Sequence, residues 1–472
     1  MLKLDNKPVL VIGLGGRGQA ACELLRRLGA RVVGVDCRDT DELRSGAEKL
    51  RGLGVEVALG TVLPPPGDFD LAVLGPAVPA NSPVVLAVKA AGVPMLGELE
   101  LGFQTAKCLS IVISGTNGKS TTAGLIERLL VHNHRKALVA GHRARPVCSV
   151  ADQTKDLDFL ILQANSFQLE GTEFFRPAVA VLLNLAPDHL DRYADAADYA
   201  RATAGLFRNQ QAFDWAIIQR EALSCLQQLI LPVPAKTITF SATDPAADLY
   251  LDRGLVISRI PNWSGPLLDT AHCQLRGPHN AENLMAALAV GHALRLPLEN
   301  MVESLKTCTS GPHRCELVSE MEGVQFINDA KAANVDALQK ALLTARSGPG
   351  GEANVWLIAG GRDQGLEFHD VGPALSRRVK RAFLIGEASE KIRAAWSLFT
   401  PCQVTASLLE AVAEAAKSAV SGDVVLFSPA CPGFDQFRNY QHRGEIFCQA
   451  VKSIRRGALT GDPHMNGKIT TA

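Results

Sequence analysis

The chain predicts an α/β fold of parallel sheets covered by helices, and three observations predict it. Short Val/Leu/Ile runs alternate with amphipathic stretches of helical period almost from end to end. Two of those runs empty into glycine-rich turns that open helices, at residues 13–18 and 115–118. At 472 residues with 47% hydrophobic side chains, the chain can bury two or three cores of about 100–200 residues each.

The first apolar run, residues 9–14, leads through Gly15, Gly16, Arg17 and Gly18 into an alanine- and leucine-rich helix to Leu28; a second run, 31–36, ends on Asp36. Gly13, Gly15 and Gly18 form a Gly-x-Gly-x-x-Gly fingerprint, whose glycines suit a tight turn with a diphosphate resting on a helix N-terminus. By itself this pattern fits a dinucleotide such as NAD, another diphosphate, or a purely structural turn. Three prolines at 64–66 stiffen a connection, and Gly75 follows the apolar run 71–74, bringing backbone near the mouth of the sheet. A domain change is expected near residue 98.

The most informative segment is the second turn. An apolar strand at 111–114 runs into Gly115-Thr-Asn-Gly-Lys-Ser-Thr121 and a helix start. Gly115 and Gly118 let the backbone curl so that successive N–H groups, those of Thr116 and Asn117 among them, face one concavity at a helix N-terminus that favours negative charge. Such a loop cradles a polyphosphate. Lys119 can reach the outer phosphates, and the hydroxyl of Ser120 or Thr121 can ligate Mg²⁺. Ile113 stands where the general P-loop pattern has glycine, so the motif is a shortened variant. Beyond a helical stretch at 281–296, a second boundary is expected near 310–312, and a third alternating unit runs to about 454. The polar tail, 455–472, has few large apolar residues and is expected to be disordered.

Lysine plus arginine equals aspartate plus glutamate at 48 each, so no net field points to nucleic acid or an anionic membrane. Eleven cysteines without a Cys-x-x-Cys pair suit reduced thiols better than a disulfide framework or zinc site. The first residues lack a signal-peptide apolar core, and no apolar run nears the ~18 residues of a spanning helix. A cytoplasmic location is expected.

Ordered blocks along the whole chain together resemble the Mur ligase family, and within it the branch that adds D-glutamate. They include residues 11–15 with Asp36, Gly97-Glu98, 115–121, 166–169, Asn184 with 188–192, 277–280 with Asn283, 312–316, 328–331 with Asn334, 360–363, and 428–431 with 434–437 and Arg443-Gly444. The resemblance implies three domains: a Rossmann-like unit for the UDP end of a sugar nucleotide (1–98), a central P-loop ATPase sheet (99–310) and a C-terminal Rossmann-like unit (311–454). It also implies a reaction. ATP phosphorylates the carboxylate of UDP-N-acetylmuramoyl-L-alanine, and an amino acid amine then attacks the acyl phosphate, a step of peptidoglycan precursor synthesis. Small-molecule substrates and a monomer are implied as well.

Carried over by this resemblance, Gly115 to Thr121 hold ATP, Asn280 and Asn283 hold the adenine, and Arg314, Asp329 and Lys331 serve the phosphates and ribose. Lys119, His189, Arg314 and Lys331 are the candidate catalytic residues, and Ser120 and His189 the candidate Mg²⁺ ligands. Gly15, Gly16, Arg17, Gly18, Asp36, Arg38 and Gly75 match the sugar-nucleotide side. The acceptor side departs from the family. Gln163 stands for a metal-binding glutamate, Thr203 for a carbamylated lysine, and Gln364, Ala333 and Gly433 for a lysine, a threonine and a serine of the D-glutamate pocket. Two readings follow: a ligase that takes D-glutamate in a rearranged pocket or accepts a different amino acid, or a Mur-fold protein that binds ATP or UDP-sugar but has lost ligation and serves a regulatory or scaffolding role.

Overall fold

The computed structural model describes residues 3–142, 144–309 and 311–460. It is a mixed α/β structure with three sheets. The first has five parallel strands, β1 (Pro8–Ile12), β2 (Arg31–Asp36), β3 (Glu56–Leu59), β4 (Leu71–Leu74) and β5 (Met95–Gly97), in the order β3-β2-β1-β4-β5. Its central strands β1 and β4 are apolar and buried almost throughout, as the middle of a helix-covered parallel sheet requires. Val9 and Val11 enter one core with Leu24, Leu25 and Val73, while Leu10 and Ile12 enter another with Val84, Val85 and Val88. The winding reverses between β1 and β4, the switch point at which open α/β sheets take ligands, and Gly13 to Gly18 and Gly75 follow the C-terminal ends of those strands.

The second sheet has nine strands. They are β6 (Leu109–Ser114), β7 (Ala137–Gly141), β8 (Phe159–Gln163), β9 (Val179–Leu182), β10 (Trp215–Gln219), β11 (Lys236–Ser241), β12 (Leu249–Asp252), β13 (Leu255–Ser258) and β14 (Gly265–Asp269). The order β14-β13-β12-β11-β10-β9-β6-β8-β7 puts β6 between β8 and β9, and only the β12-β13-β14 edge is antiparallel. Val112, Leu160, Leu162, Ala180 and Ile218 build one core below it. Ile111, Ile113, Ile161, Val181 and Ile217, of opposite parity, are also fully buried or nearly so.

The third sheet runs β15 (Glu316–Met321), β16 (Val324–Asn328), β20 (Val424–Phe427), β17 (Val355–Gly360), β18 (Val379–Ile385), β19 (Cys402–Val404), with only β15 antiparallel. Leu357, Leu384 and Leu426 face one core; Ile358, Phe383, Ile385 and Phe427 face the other. The chain groups into two compact units. One holds the first two sheets, from residues up to 185 with 197–273 and 280–308; the other is formed by 186–196, 274–279 and the residues from 309 on.

Two local expectations shift. The helix expected over 281–296 spans Pro278–Ala293, because Pro278 after a left-handed Gly277 (φ +89°) suits a first helical position, where no N–H is needed. The helix Tyr440–Thr460 reaches into the segment expected to be disordered, since Arg, Ala and Leu at 455–459 are good helix formers; 461–472 lie outside the described residues. All eleven cysteines are free. Among the described residues, no helix is long and apolar enough to cross a membrane.

Candidate active site

Strand β6 ends at Ser114, and Gly115 (φ +124°) and Gly118 (φ +92°) then adopt backbone conformations that side chains resist. Space also excludes a side chain. A Cβ on Gly118 would stand 2.5 Å from Asn283 Oδ1, and one on Gly115 2.9 Å from the Asn184 carbonyl oxygen. Asn184 braces the turn, its Oδ1 accepting from the Asn117 N–H at 2.8 Å and its Nδ2 donating to the Asn117 carbonyl at 3.0 Å. The Asn184 carbonyl accepts from the Thr116 N–H at 3.0 Å. The Thr116 and Asn117 amides therefore serve the loop's own shape. The helix Lys119–His132 starts directly after this turn, and a helix N-terminus favours an anion.

Lys119 Nζ arches back to donate to the carbonyls of Gly115 and, at 3.1 Å, Thr116. Ser120 Oγ donates to Gln163 Oε1 at 2.8 Å, with Thr121 half-buried beside it. Asn280 and Asn283 come to the same place. Asn283 Oδ1 accepts from Thr122 Oγ1 at 3.1 Å, and its Nδ2 donates to Asn280 Oδ1 at 3.2 Å. Thr116 Oγ1 and the Tyr199 hydroxyl share a hydrogen bond of 3.0 Å. Sequence reasoning gave Tyr199 no role, because nothing in a helix at 196–204 announces a partner 83 residues away.

At the N-terminal turn Asp36 is buried, accepting from the Leu14 N–H at 2.8 Å and the Arg38 N–H at 3.0 Å, with Arg38 Nε at 3.4 Å. It sets the shape of the glycine loop. A Cβ on Gly18 would lie 1.8 Å from the Gly13 carbonyl oxygen, whereas Gly15 and Gly16 face open space. The third glycine is thus a packing requirement and the middle pair leaves room for a ligand. Gly75 N–H donates to the Ile12 carbonyl at 2.8 Å, lining the same strand ends. Arg17 Nη2 donates across to the Gly141 carbonyl at the end of β7, at 3.2 Å. Nearby Glu98 is buried, and desolvation raises its pKa against the Cys148 N–H and the Arg17 charge.

The second unit gathers Arg314, Asp329 and Lys331. Arg314 sits between two residues of positive φ, His313 (+62°) and Cys315 (+45°). Asp329 accepts from the Cys315 N–H at 3.2 Å and from Ser428 Oγ at 2.8 Å. Burial pushes its carboxyl up to about 7, with the Ser428 and Cys315 hydrogen bonds and the Arg314 charge opposing. Lys331 N–H donates to the His313 carbonyl at 3.1 Å, and its ammonium lies 3.9 Å from the centre of the Tyr440 ring. His189 (φ +56°) has Nε2 3.9 Å from Asp188 Oδ2, an oxygen that also accepts from Asn334 Nδ2 at 3.3 Å. Ser120 and His189, read together as metal ligands, belong to different compact units.

The chain is 36% identical over 462 residues to the UDP-N-acetylmuramoylalanine–D-glutamate ligase of Myxococcus xanthus, covering 96% of this chain and 100% of that one. Against the enzyme of the same name from Acidobacterium capsulatum, identity is 35%, covering 97% and 98%. The chain belongs to the Mur ligase family. The family's middle domain matches residues 113–291 and its glutamate ligase domain 313–431. Two solved Mur ligases from Thermotoga maritima share the fold: MurF in complex with ADP (TM-score 0.61, 16% identity, 96% of each chain) and the UDP-N-acetylmuramate–alanine ligase MurC (0.58, 19%, covering 95% of this chain and 100% of that one).

In this Mur ligase the metal positions divide. A Mg²⁺ carried with a nucleotide takes one or two protein oxygens and fills its shell with phosphate and water, and Ser120 Oγ at the helix start fits that need. A second Mg²⁺ held by a glutamate and a carbamylated lysine does not fit. Gln163 is a neutral amide engaged with Ser120, and Thr203 is buried with its hydroxyl donating to the Tyr199 carbonyl at 2.9 Å. At Gly433, which stands where the family has a serine, a Cβ would lie 2.8 Å from Arg443 Nη1.

Proposed function

We infer that this Mur ligase joins D-glutamate to UDP-N-acetylmuramoyl-L-alanine, with ATP cleaved to ADP and phosphate as its γ-phosphoryl group passes to the carboxylate and is then displaced by the amine. Kinship over nearly the whole chain with ligases named for that reaction carries the inference. A carboxylate is a poor electrophile until it bears a phosphate leaving group, and Mg²⁺ bound with ATP would supply Lewis-acid charge neutralisation there. The chain's own residues have distinct tasks. The helix start at 119–121 binds the polyphosphate, and Lys119, released from the loop carbonyls, compensates charge on the transferring phosphoryl group. Ser120 orients the metal-bearing end. Asn280 and Asn283 hold the loop against the base side, and Arg314, Asp329 and Lys331 serve phosphates and ribose. Open backbone at Gly15 and Gly16, shaped by Asp36, receives the UDP diphosphate, with Arg17, Arg38 and Gly75 around it. His189 is proposed as the remaining metal-side ligand, and the working form as a cytosolic monomer.

A second reading, a Mur-fold protein that binds nucleotide without ligating, is favoured by the neutral pair Gln163 and Thr203. One assay separates them: phosphate release with UDP-N-acetylmuramoyl-L-alanine, ATP and Mg²⁺ against a panel of amino acids. D-Glutamate-dependent release supports the ligase. Tight binding of both nucleotides with no release for any amino acid leaves the second reading.

A further inference from the structure

Asn328, the last residue of β16, is fully buried, and its carboxamide ties three segments together. Nδ2 donates at 2.8 Å to His313 Nδ1 and at 3.2 Å to the Gly444 carbonyl oxygen, with Cys448 Sγ at 3.3 Å, and Oδ1 accepts from the Ala330 N–H at 3.1 Å. Nothing in the proposed chemistry uses this residue. We propose that Asn328 is a positioning residue for nucleotide binding: through His313 it holds the turn 313–315 in the conformation that presents Arg314 to the phosphates of ATP, a role that rests on the assignment of Arg314 to those phosphates.

The turn around Arg314 does not keep its shape by local preference. His313 and Cys315 both have positive φ, +62° and +45°, and neither is glycine. Such residues persist where their surroundings over-determine them. Here the constraint comes from the end of β16 and the loop after it. The His313 carbonyl accepts from the Lys331 N–H at 3.1 Å, and the Cys315 N–H donates to Asp329 Oδ1 at 3.2 Å. These two bonds hold backbone, while the bond from Asn328 fixes the imidazole itself. Room for the ring exists because residue 444 is glycine, since a Cβ there would run into the imidazole.

The direction of the amide is set independently. The Ala330 N–H can only donate, so Oδ1 faces it and the NH₂ group faces His313, which makes Nδ1 the acceptor and leaves the ring proton on Nε2. On the other side of the turn the His313 N–H donates to Glu316 Oε2 at 2.7 Å. One carboxamide thus joins the loop that carries Asp329 and Lys331 to the turn that carries Arg314, all within the second compact unit. Truncating it leaves a buried Nδ1 without that donor, and the left-handed backbone on either side of Arg314 loses a bond that opposes its relaxation.

The test is calorimetric titration of the full-length protein with Mg-ATP, for the parent, Asn328→Ala, Arg314→Ala and the double variant. UDP-N-acetylmuramoyl-L-alanine is the control ligand, since its proposed turn lies on another sheet. Asn328→Ala should weaken Mg-ATP about 10-fold and leave the control ligand unchanged. The double variant should bind Mg-ATP no more weakly than Arg314→Ala alone, because the amide acts through that guanidinium. If Asn328→Ala does not fold, His313→Ala, cut at the other end of the same bond, is read in its place. Additive losses in the double variant, loss of both ligands together in Asn328→Ala, or parental Mg-ATP binding by Asn328→Ala beside a weakened Arg314→Ala overturns the positioning role. Arg314→Ala that binds Mg-ATP like the parent defeats the nucleotide assignment of Arg314 itself, and the role of Asn328 with it.

Discussion

Lys119 is the side chain whose loss should separate chemistry from folding. Its ammonium donates to carbonyls of the loop it serves. Lys119→Ala should lower phosphate release by about 10²–10³-fold or more, while denaturant unfolding moves by less than about 1 kcal/mol. Gly433 behaves in the opposite sense. Reinstating the family serine there should not improve D-glutamate use, because a Cβ meets Arg443 Nη1 at 2.8 Å and Cδ at 3.0 Å. Arg443 is buried and donates to the carbonyls of Cys431 at 2.9 Å and Ala330 at 2.7 Å, so it has little room to yield. Gly433→Ser should cost about 1–3 kcal/mol in chemical denaturation; an unchanged midpoint with better D-glutamate KM would refute this. Asp329 gives a pH signature. Its folded pKa, about 7, lies above the unfolded carboxylate value, so the native state binds the extra proton. Its penalty is absent below the unfolded pKa, grows as pH rises between the two values and is complete above about 7. Asp329→Asn should therefore flatten the fall in stability across that window, measured by urea unfolding at a series of pH values.

At the scale of elements, the β1 turn shows how one motif serves packing and binding with different glycines. Gly18→Ala drives a Cβ to within 1.8 Å of the Gly13 carbonyl oxygen, backbone that cannot rotate away. It should destabilise by about 3 kcal/mol or more and abolish UDP-sugar binding. Gly16→Ala meets nothing within 4 Å at the start of the helix Gly16–Arg27. It should stabilise by about 0.4–1 kcal/mol yet weaken UDP-N-acetylmuramoyl-L-alanine in calorimetry, because the added methyl occupies the ligand's approach. Equal effects of the two substitutions on stability would contradict this division. The β6 turn uses the same economy, with Asn184 and Asn283 bracing it and the helix start left to face the nucleotide.

For the whole molecule, ligand binding should appear as stability. Saturating Mg-ATP at about 100 times its Kd should stabilise the folded chain by about 2.7 kcal/mol, seen as a raised Tm in scanning calorimetry. Lys119→Ala should lose most of that shift while keeping the shift given by UDP-N-acetylmuramoyl-L-alanine, since the two ligands are assigned to turns on different sheets. A parent Tm indifferent to Mg-ATP would count against the nucleotide site.

The α/β class, the phosphate-loop turn and the glycine fingerprint were legible in the sequence, because strand and helix periods and the glycine need of positive φ are local constraints that a few adjacent residues satisfy. Asp36 was legible as a position, yet its engagement with the Leu14 N–H depends on β2 lying beside β1. Tertiary structure alone decided that Thr116 and Asn117 turn toward Asn184, that Tyr199 meets Thr116, that Lys331 stacks on Tyr440 and that His313, Glu316 and Cys448 converge. Apart from His313 with Glu316, each of those contacts joins residues far apart in the chain. Sequence pattern states what a segment will be, while the partner of a side chain is set by which strands the topology lays next to each other.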